Sequence, residues 1–290
     1  MKNTKKNISI EKLHPFENHP YKVQDNEEMD ALAESIKAHG VVSPIIIRPL
    51  ENTTDEYEII SGHRRVMASR KAGITEIPAL IASLDRDAAA IVLVDSNLHR
   101  EHIFPSEKAF AYKMKAEALA HQGWRTDLTS RQLVPKSDDN RTTAQIGADT
   151  GDSYKTVQRY IRLTNLIPEI LRYVDEGRIS FTPAVELSYL NEQEQYDLLE
   201  QMELNDCTPS HAQTIRMRKM FEEGKLTPEA IQAIMSEQKP NQQERIVLSG
   251  DRVRKFIPKS IPLNKTEEYV CKALEHYASF LRKRTERDSR

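Results

Sequence analysis

The stretch Glu58–Gly73, EIISGHRRVMASRKAG, constrains the fold of this chain more than any other. Its isoleucines end a predicted β-strand that passes through Gly62 into a helix carrying His63, Arg64 and Arg65 in the first turn. Such a junction leaves free N–H groups at the positive end of the helix dipole, where an anion is favoured and cations are not. The two arginines therefore predict a phosphate ligand. A solvated arginine pair on an ordinary turn is the alternative.

Strand and helix patterns alternate over residues 8–100 and predict a small α/β domain. Ile8–Leu13 is a strand candidate, and Asp25 or Asn26 is expected to cap a helix that Gly40 ends. Val41–Pro49 is a nearly continuous apolar run with β-branched residues, which indicates a buried strand.

A second candidate site follows from two adjoining helical patterns. Thr143–Gly151 predicts a short helix ended by glycine, and Asp152 or Ser153 begins a second helix that stops before Pro168. Polar and basic side chains early in a recognition helix reach base edges and phosphates. The predicted DNA-binding residues are Gln145, Ser153, Tyr154, Lys155, Thr156, Gln158, Arg159 and Arg162. An ordinary helical hairpin with a solvated basic face is the alternative.

Three sequence boxes resemble those of the ParB/Noc family of DNA-partition proteins. Residues 62–68, GHRRVMA, resemble the family's G-E-R-R-x-x-A box, and residues 96–101, SNLHRE, resemble its E-N-x-x-R-E box. Residues 40–48, GVVSPIIIR, are similar to the first box, which meets the base. With the predicted helix-turn-helix, the resemblance covers roughly residues 8–200.

The resemblance implies a domain that binds CTP. By position in the boxes, the nucleotide-binding residues would be Ser43, Pro44, Gly62, His63, Arg64, Arg65, Asn97 and Arg100. The family also holds a magnesium ion at the triphosphate, which assigns Asn97 as a metal ligand. Asn97 and Arg100 would share one helical face if that helix continued.

Two positions depart from the family pattern. Ser96 stands where the family has a glutamate, and His63 stands where it has the glutamate of G-E-R-R. A serine supplies no negative charge to a metal-bound water, so binding is favoured over fast hydrolysis. Whether the chain is an enzyme stays open, with a weak CTPase as the candidate activity and no catalytic residue assigned.

The predicted fold class is α+β. A small mixed α/β domain like those of ParB and sulfiredoxin spans 1–102, and an all-α DNA-binding domain spans 103–238, with its helix-turn-helix at about 143–166. A linker and a small C-terminal helical module occupy 239–290. Val270, Leu274 and Tyr277 lie at helical spacing there, which predicts a helix. Its basic end, RKRTERDSR, predicts dimerisation or an extra DNA contact, and a cationic helix end that only suits the helix dipole is the alternative.

The resemblance implies a partition protein that binds a palindromic, centromere-like DNA site and uses CTP as a clamp switch. Its expected partners are double-stranded DNA, a second copy of the chain and a ParA-like ATPase, in plasmid, mobile-element or chromosome segregation. A net charge of −2 places any DNA binding in a local basic patch.

No membrane association is expected, because no apolar run approaches the length of a span. Cys207 and Cys271 lie far apart, which fits a reducing cytoplasm, with the protein associated with a nucleoid or plasmid.

Two alternatives remain. One is an enzyme on the same scaffold, but a sulfiredoxin would need a nucleophilic cysteine where this chain has Gly62, and a kinase would need no DNA-reading helix. The other is a transcriptional repressor or DNA-bound adaptor that has lost nucleotide hydrolysis.

Overall fold

The computed structural model describes residues 4–51, 53–98, 100, 102–127, 139–237, 253–258, 261–262 and 265–288. The chain divides into two compact units, 1–237 and 238–290. The first unit holds a mixed sheet with its helices and a larger set of helices that follows. The linker predicted to begin at residue 239 lies, up to residue 252, outside the described residues.

The sheet has five strands in the order β1-β5-β3-β4-β2. The strands are β1 Thr4–Ser9, β2 Leu13–Pro15, β3 Ile45–Pro49, β4 Tyr57–Ser61 and β5 Glu76–Ile81. β1 pairs antiparallel with β5, and β3 pairs antiparallel with β4. The pairs β2–β4 and β3–β5 are parallel. Parallel neighbours need long crossovers, so helices are interleaved with the strands along the chain.

The single strand predicted over Ile8–Leu13 is wrong. β1 ends at Ser9, and a 3-10 turn at Ile10–Lys12 separates it from β2. Ile8 pairs with β5, whereas Leu13 pairs with β4, so this short segment carries the chain from one edge of the sheet to the other. An apolar alternation in sequence does not distinguish one strand from two that pair with different neighbours.

Three helices accompany the sheet: α1 Glu27–His39, α2 His63–Lys71 and α3 Arg86–Asn97, of which α1 packs on α2 and α3 packs on β4. Asn26 caps α1, since its side chain accepts a hydrogen bond from the N–H of Met29 at 3.1 Å. Gly40, with φ of 71°, ends α1 as predicted. Met29 and Ile36 of α1 are buried with Ala68 of α2, so these two helices form one layer.

The long helix α4, Pro105–Asp127, links the sheet domain to the helices that follow. Its Lys115 is only 1% exposed, and its Nζ donates to Asp95 of α3 at 2.6 Å and to Asp149 at 2.7 Å. Burial alone would lower the pKa of Lys115, but the hydrogen bonds to the two aspartates outweigh it and raise that pKa. The ammonium group therefore ties α3 to the helical half of the unit.

The helical half contains α5 Asp139–Thr150, α6 Tyr154–Leu163, α7 Pro168–Asp175, α8 Phe181–Leu187, α9 Glu192–Leu204, α10 His211–Glu222 and α11 Pro228–Ser236. Leu163 of α6, Ile170 of α7 and Leu187 of α8 are completely buried in its core. The buried side of α6 therefore packs against the helices that follow it in the chain.

The second unit contains a long helix, α12 Thr266–Asp288. Leu274 and Tyr277, at helical spacing, are 59% and 58% exposed. In the described part of the chain, no helix has the length and apolar character needed to span a membrane.

Candidate nucleotide and DNA sites

The junction between β4 and α2 is built around Gly62. Gly62 caps α2 in the left-handed region, with φ of 107° and ψ of 21°. A Cβ placed there would lie 2.6 Å from Cγ2 of Ile45, which is closer than real side chains approach. Only glycine fits this position, because both the backbone angle and the contact with β3 exclude a side chain. The N–H groups of the first turn of α2 are thereby presented beside the end of the sheet.

Arg65 holds the loop that leads into β3. Its Nη1 donates to the carbonyl oxygen of Ser43 and, at 2.8 Å, to that of Pro44. Burial lowers the pKa of Arg65, although a guanidinium stays charged. Arg65 of the second box therefore contacts Ser43 and Pro44 of the first box, and it positions their backbone next to the start of α2.

Arg64 has a different partner. Its Nη2 donates to Oε2 of Glu28 on α1 at 3.0 Å, and the two side chains are 42% and 73% exposed. An exposed ion pair of this kind is weak and is readily exchanged for another anion. Arg64 is therefore available to a ligand at small cost.

His63, the first residue of α2, lies against His19 from the loop before α1. Their ring centroids are 3.9 Å apart with a 45° angle between the planes. Burial, then His19 and Arg100, lower the pKa of His63 to about 3. Burial also lowers the pKa of His19. The hydrogen bond to the carbonyl of Tyr21 raises this pKa in part, and the charge of Arg100 lowers it further. Both imidazoles are neutral near neutral pH.

The third box adopts a geometry that differs from the predicted one. α3 ends at Asn97, so the helix does not continue and Arg100 does not share a helical face with Asn97. The N–H of Arg100 instead donates to the carbonyl of Asn97 at 3.2 Å. Its guanidinium carbon lies 5.5 Å from the ring centre of Tyr21, beside the histidine pair. The turn brings Arg100 to the start of α2.

Ser96 and Asn97 are bound to their own helix. Ser96 Oγ donates to the carbonyl of Leu93 at 2.9 Å, and Asn97 Nδ2 donates to the same carbonyl at 2.8 Å. Asp95, a possible replacement for the family's glutamate, accepts from Lys115 instead. Within the described ranges, no group of three or more His, Cys, Asp and Glu side chains could hold a metal ion.

Sequence reasoning missed His19 and Tyr21. They lie in a turn-rich segment without periodicity, 44 and 42 residues before His63, and outside every box. Neither spacing nor composition there indicated a site.

The helix-turn-helix consists of α5 and α6. α5 begins at Asp139, before the predicted Thr143, and ends before Gly151, whose φ is 77°. Ser153 caps α6, since its Oγ accepts a hydrogen bond from the N–H of Thr156 at 3.2 Å. The sequence predicted either Asp152 or Ser153 as the residue that begins this helix. Gly147 on α5 allows the turn before α6 to approach closely, since a Cβ there would lie 2.5 Å from the carbonyl oxygen of Asp152.

The predicted DNA-binding residues lie along this motif. Gln145 is exposed on α5, while Tyr154 and Lys155 are exposed in the first turn of α6. The hydroxyls of Ser153 and Thr156 are 2.9 Å apart in the same turn. Gln158 is half-buried farther along α6.

The two arginines of α6 rest on aromatic rings. Arg159 lies 5.1 Å from the ring centre of Phe181 and donates to Thr182 Oγ1 at 3.3 Å. Arg162 lies 3.4 Å from the ring centre of Tyr189, and its buried Nε has no hydrogen-bond partner in the structure's described part. Stacking fixes a guanidinium without neutralising its charge.

Family comparisons agree with this arrangement. Residues 1–98 match the ParB N-terminal domain, and residues 136–214 match the ParB HTH domain. The nucleoid occlusion protein of Geobacillus thermodenitrificans is 32% identical over 226 residues, which cover 77% of this chain and 72% of that protein. This chain belongs to the ParB/Noc family.

Two further proteins are similar. The probable chromosome 1-partitioning protein ParB of Deinococcus radiodurans is 34% identical over 178 residues, 61% of this chain. The match spans only 53% of the Deinococcus protein's length. A C-terminally truncated Caulobacter crescentus ParB complexed with CTP-gamma-S is 24% identical, with a TM-score of 0.32, covering 69% of this chain and 98% of that one.

Proposed function

We propose that this chain is a site-specific DNA-binding partition or nucleoid-occlusion protein whose N-terminal domain binds CTP as a clamp switch. One observation carries the proposal. The β4–α2 turn, with the N–H groups of the first turn of α2, and the helix-turn-helix lie in one compact unit, on either side of α4 in the chain. The turn lies in the match to the ParB N-terminal domain, and the helix-turn-helix lies in the match to the ParB HTH domain. Lys115 joins the two halves through its hydrogen bonds to Asp95 and Asp149.

The residues around α2 suit the phosphate end of a nucleotide. The first-turn N–H groups beside Gly62 would bind phosphate oxygens, with Arg64 and Arg100 as nearby cations. Arg65 would act indirectly, by fixing the Ser43–Pro44 backbone. CTP would supply the anionic triphosphate that these groups are arranged to receive.

The same residues suit magnesium poorly. A hard divalent ion prefers several oxygen ligands with carboxylate among them. Asn97 offers one neutral amide oxygen, Ser96 carries no charge, and the carboxylate of Asp95 is paired with Lys115, so the described residues of this box offer no unpaired carboxylate. We therefore propose nucleotide binding with slow or absent hydrolysis.

For DNA, the proposal places α6 in the major groove of a palindromic site, with the exposed first turn at the base edges. A palindrome requires a dimer, and the exposed stripe of α12 suits pairing with a second copy. A ParA-like ATPase partner and a place on a nucleoid or plasmid follow from the same proposal. Plasmid, mobile element and chromosome stay equal candidates for the cargo.

The test is equilibrium binding of CTP, ATP, GTP and UTP to the full chain, with DNA binding measured in parallel and phosphate release followed over hours. We expect selective CTP binding and little release. Absence of all nucleotide binding, with specific DNA binding retained, would favour the repressor or adaptor alternative.

Two substitutions separate the two sites. Arg65→Ala should abolish nucleotide binding and keep specific DNA binding, because it frees the 43–44 loop. Arg159→Ala should do the reverse, weakening specific DNA binding by ~1–3 kcal/mol if it reads a base. Lys71→Ala is the matched control, since Lys71 lies in the last turn of α2 and pairs with Asp25 and Asp30. An Arg65→Ala protein that binds nucleotide normally would contradict the assigned role.

A further inference from the structure

The histidine pair at the start of α2 contains two polar atoms without partners. His19 Nδ1 lies 2.7 Å from the carbonyl oxygen of Tyr21. A carbonyl only accepts, so Nδ1 carries the proton of the neutral ring and Nε2 is left with a lone pair. Nε2 of His19 and Nε2 of His63 are both buried, and neither has a hydrogen-bond partner in the part of the chain that the structure describes. A buried acceptor without a partner is destabilised, so a ligand or a proton can relieve it.

Among the described residues, the charged group that acts on both rings is a cation, with no acid acting on either. Arg100, from the segment after α3, acts on both rings, and His19 acts on His63. Behind the pair, Asp95 of α3 and Glu107 of α4 act on Tyr21, whose pKa is raised mainly by burial. Both acids are already engaged, Asp95 by Lys115 and Glu107 by the N–H groups of Lys22 and Phe104. In the described part of the chain, the pair therefore lies beside one cation, Arg100, and has no acid of its own to balance a proton.

This donor set differs from the one that the family boxes imply. Where the family has glutamates at the positions of His63 and Ser96, this chain has one imidazole and one hydroxyl, and His19 adds a second imidazole from outside the boxes. Glutamates would hold a metal ion that balances the triphosphate, whereas imidazoles can balance it by accepting protons.

We propose that His19 and His63 take up protons when a nucleoside triphosphate binds, and that their positive charge replaces the divalent cation at the phosphate chain. The inference rests on the proposed nucleotide-binding function. It makes binding proton-linked and independent of magnesium.

The direction of the linkage follows from the charges. In the free protein, burial, His19 and Arg100 hold the pKa of His63 at about 3, and the pKa of His19 is also lowered. A triphosphate beside the rings would favour the imidazolium form and raise both pKa values. The complex then binds more protons than the free protein, so affinity rises as pH falls, by up to about tenfold per pH unit for each proton fully taken up.

The test is isothermal titration calorimetry of CTP into the full-length protein, in two buffers of different ionisation enthalpy. We expect net proton uptake on binding, and an affinity that changes less than about twofold when magnesium is replaced by EDTA. Loss of binding in EDTA, or binding without proton uptake, would overturn the proposal.

Substitutions of the histidines distinguish proton uptake by the protein from proton uptake by the nucleotide. In the double variant His19→Gln, His63→Gln, the terminal phosphate of CTP can still take up a proton, but the two imidazoles are gone. The difference in proton uptake between the parent and this variant therefore measures the imidazoles alone. His39→Gln is the control, because His39 is an exposed residue on α1 bonded to the carbonyl of Ser35. We expect the double variant to lose the extra proton uptake and His39→Gln to retain it.

His63→Glu reintroduces the family residue and should make binding depend on magnesium. Retained specific DNA binding shows that each variant is folded. CTP binding by the parent without proton uptake defeats only this inference, whereas failure to bind nucleotide at any pH defeats the proposed function along with it.

Discussion

The two candidate sites hold their charged groups in opposite ways. In the helix-turn-helix, Arg159 and Arg162 lie on the rings of Phe181 and Tyr189, on or next to the helix behind α6. At the start of α2, the histidine pair has two buried nitrogen atoms that find no hydrogen-bond partner within the described ranges. The arginines of the candidate DNA-binding surface are therefore already held in place, whereas the candidate nucleotide site contains buried nitrogen atoms that a ligand or a proton could still bind.

Tyr189 shows how the helical half is prepared. Arg218 of α10 lies 3.5 Å from its ring centre, and Arg162 lies 3.4 Å from it. Arg218 is paired with Glu186 and Glu222, whereas the buried Nε of Arg162 has no hydrogen-bond partner among the described residues. A polyanion such as DNA can use a charge that is fixed in place but not neutralised.

The largest expected effect is that of Gly62→Ala. The added Cβ meets β3 and φ is positive, so we expect a loss of ~2–4 kcal/mol in the free energy of unfolding, together with loss of nucleotide binding. Gly73→Ala is the control, since its φ is 74° but no atom lies within 4 Å of the new Cβ. It should cost only ~1–2 kcal/mol. Equal losses in denaturant titrations would show that the contact with Ile45 does not matter.

Lys115→Met tests the connection between the two regions. It removes both hydrogen bonds and leaves two half-exposed carboxylates without their cation, so stability should fall by ~1–3 kcal/mol. The effect of nucleotide on DNA affinity should shrink at the same time. Lys113→Met, on the same helix, is the control. Unchanged coupling in the Lys115 variant would show that the two sites communicate by another route.

Acidification should distinguish the two regions. His63 has a folded pKa of about 3, below the value of ~6.5 for an unfolded chain, so the unfolded state binds the extra proton first. The contribution of His63 to stability is therefore complete above pH ~6.5 and is lost as the pH falls toward 3. α5 and α6 contain no histidine. Hydrogen exchange should thus accelerate in α2 before α6, and His63→Gln should remove that difference.

Glu28→Gln should have the smallest effect. It removes an exposed ion pair, so we expect stability to change by only ~0–1 kcal/mol. Arg64, released from Glu28, should bind nucleotide slightly more tightly, with an affinity gain below about tenfold. Weaker nucleotide binding would mean that Glu28 orients Arg64 toward the ligand instead of competing for it.

The local features of both sites could be predicted from the sequence. Gly62 at the strand–helix junction, Asn26 and Ser153 as caps, and Gly40 and Gly151 as helix ends each depend on the backbone within a few residues. Capping and positive φ are properties of particular residue types, so these features are read directly from the chain. The same local patterns indicated a mixed α/β domain followed by a helix-turn-helix.

Tertiary structure alone decided which side chains meet. His19 lies against His63, Asp95 accepts a hydrogen bond from Lys115, and Arg100 turns toward Tyr21 because α3 ends at Asn97. These contacts join segments that lie between 20 and 79 residues apart. Spacing along the chain orders only near neighbours, whereas contacts of this kind depend on how the helices pack on the sheet. The sequence by itself determined the glycine junction between β4 and α2, and the packing determined which charged and neutral side chains surround that junction.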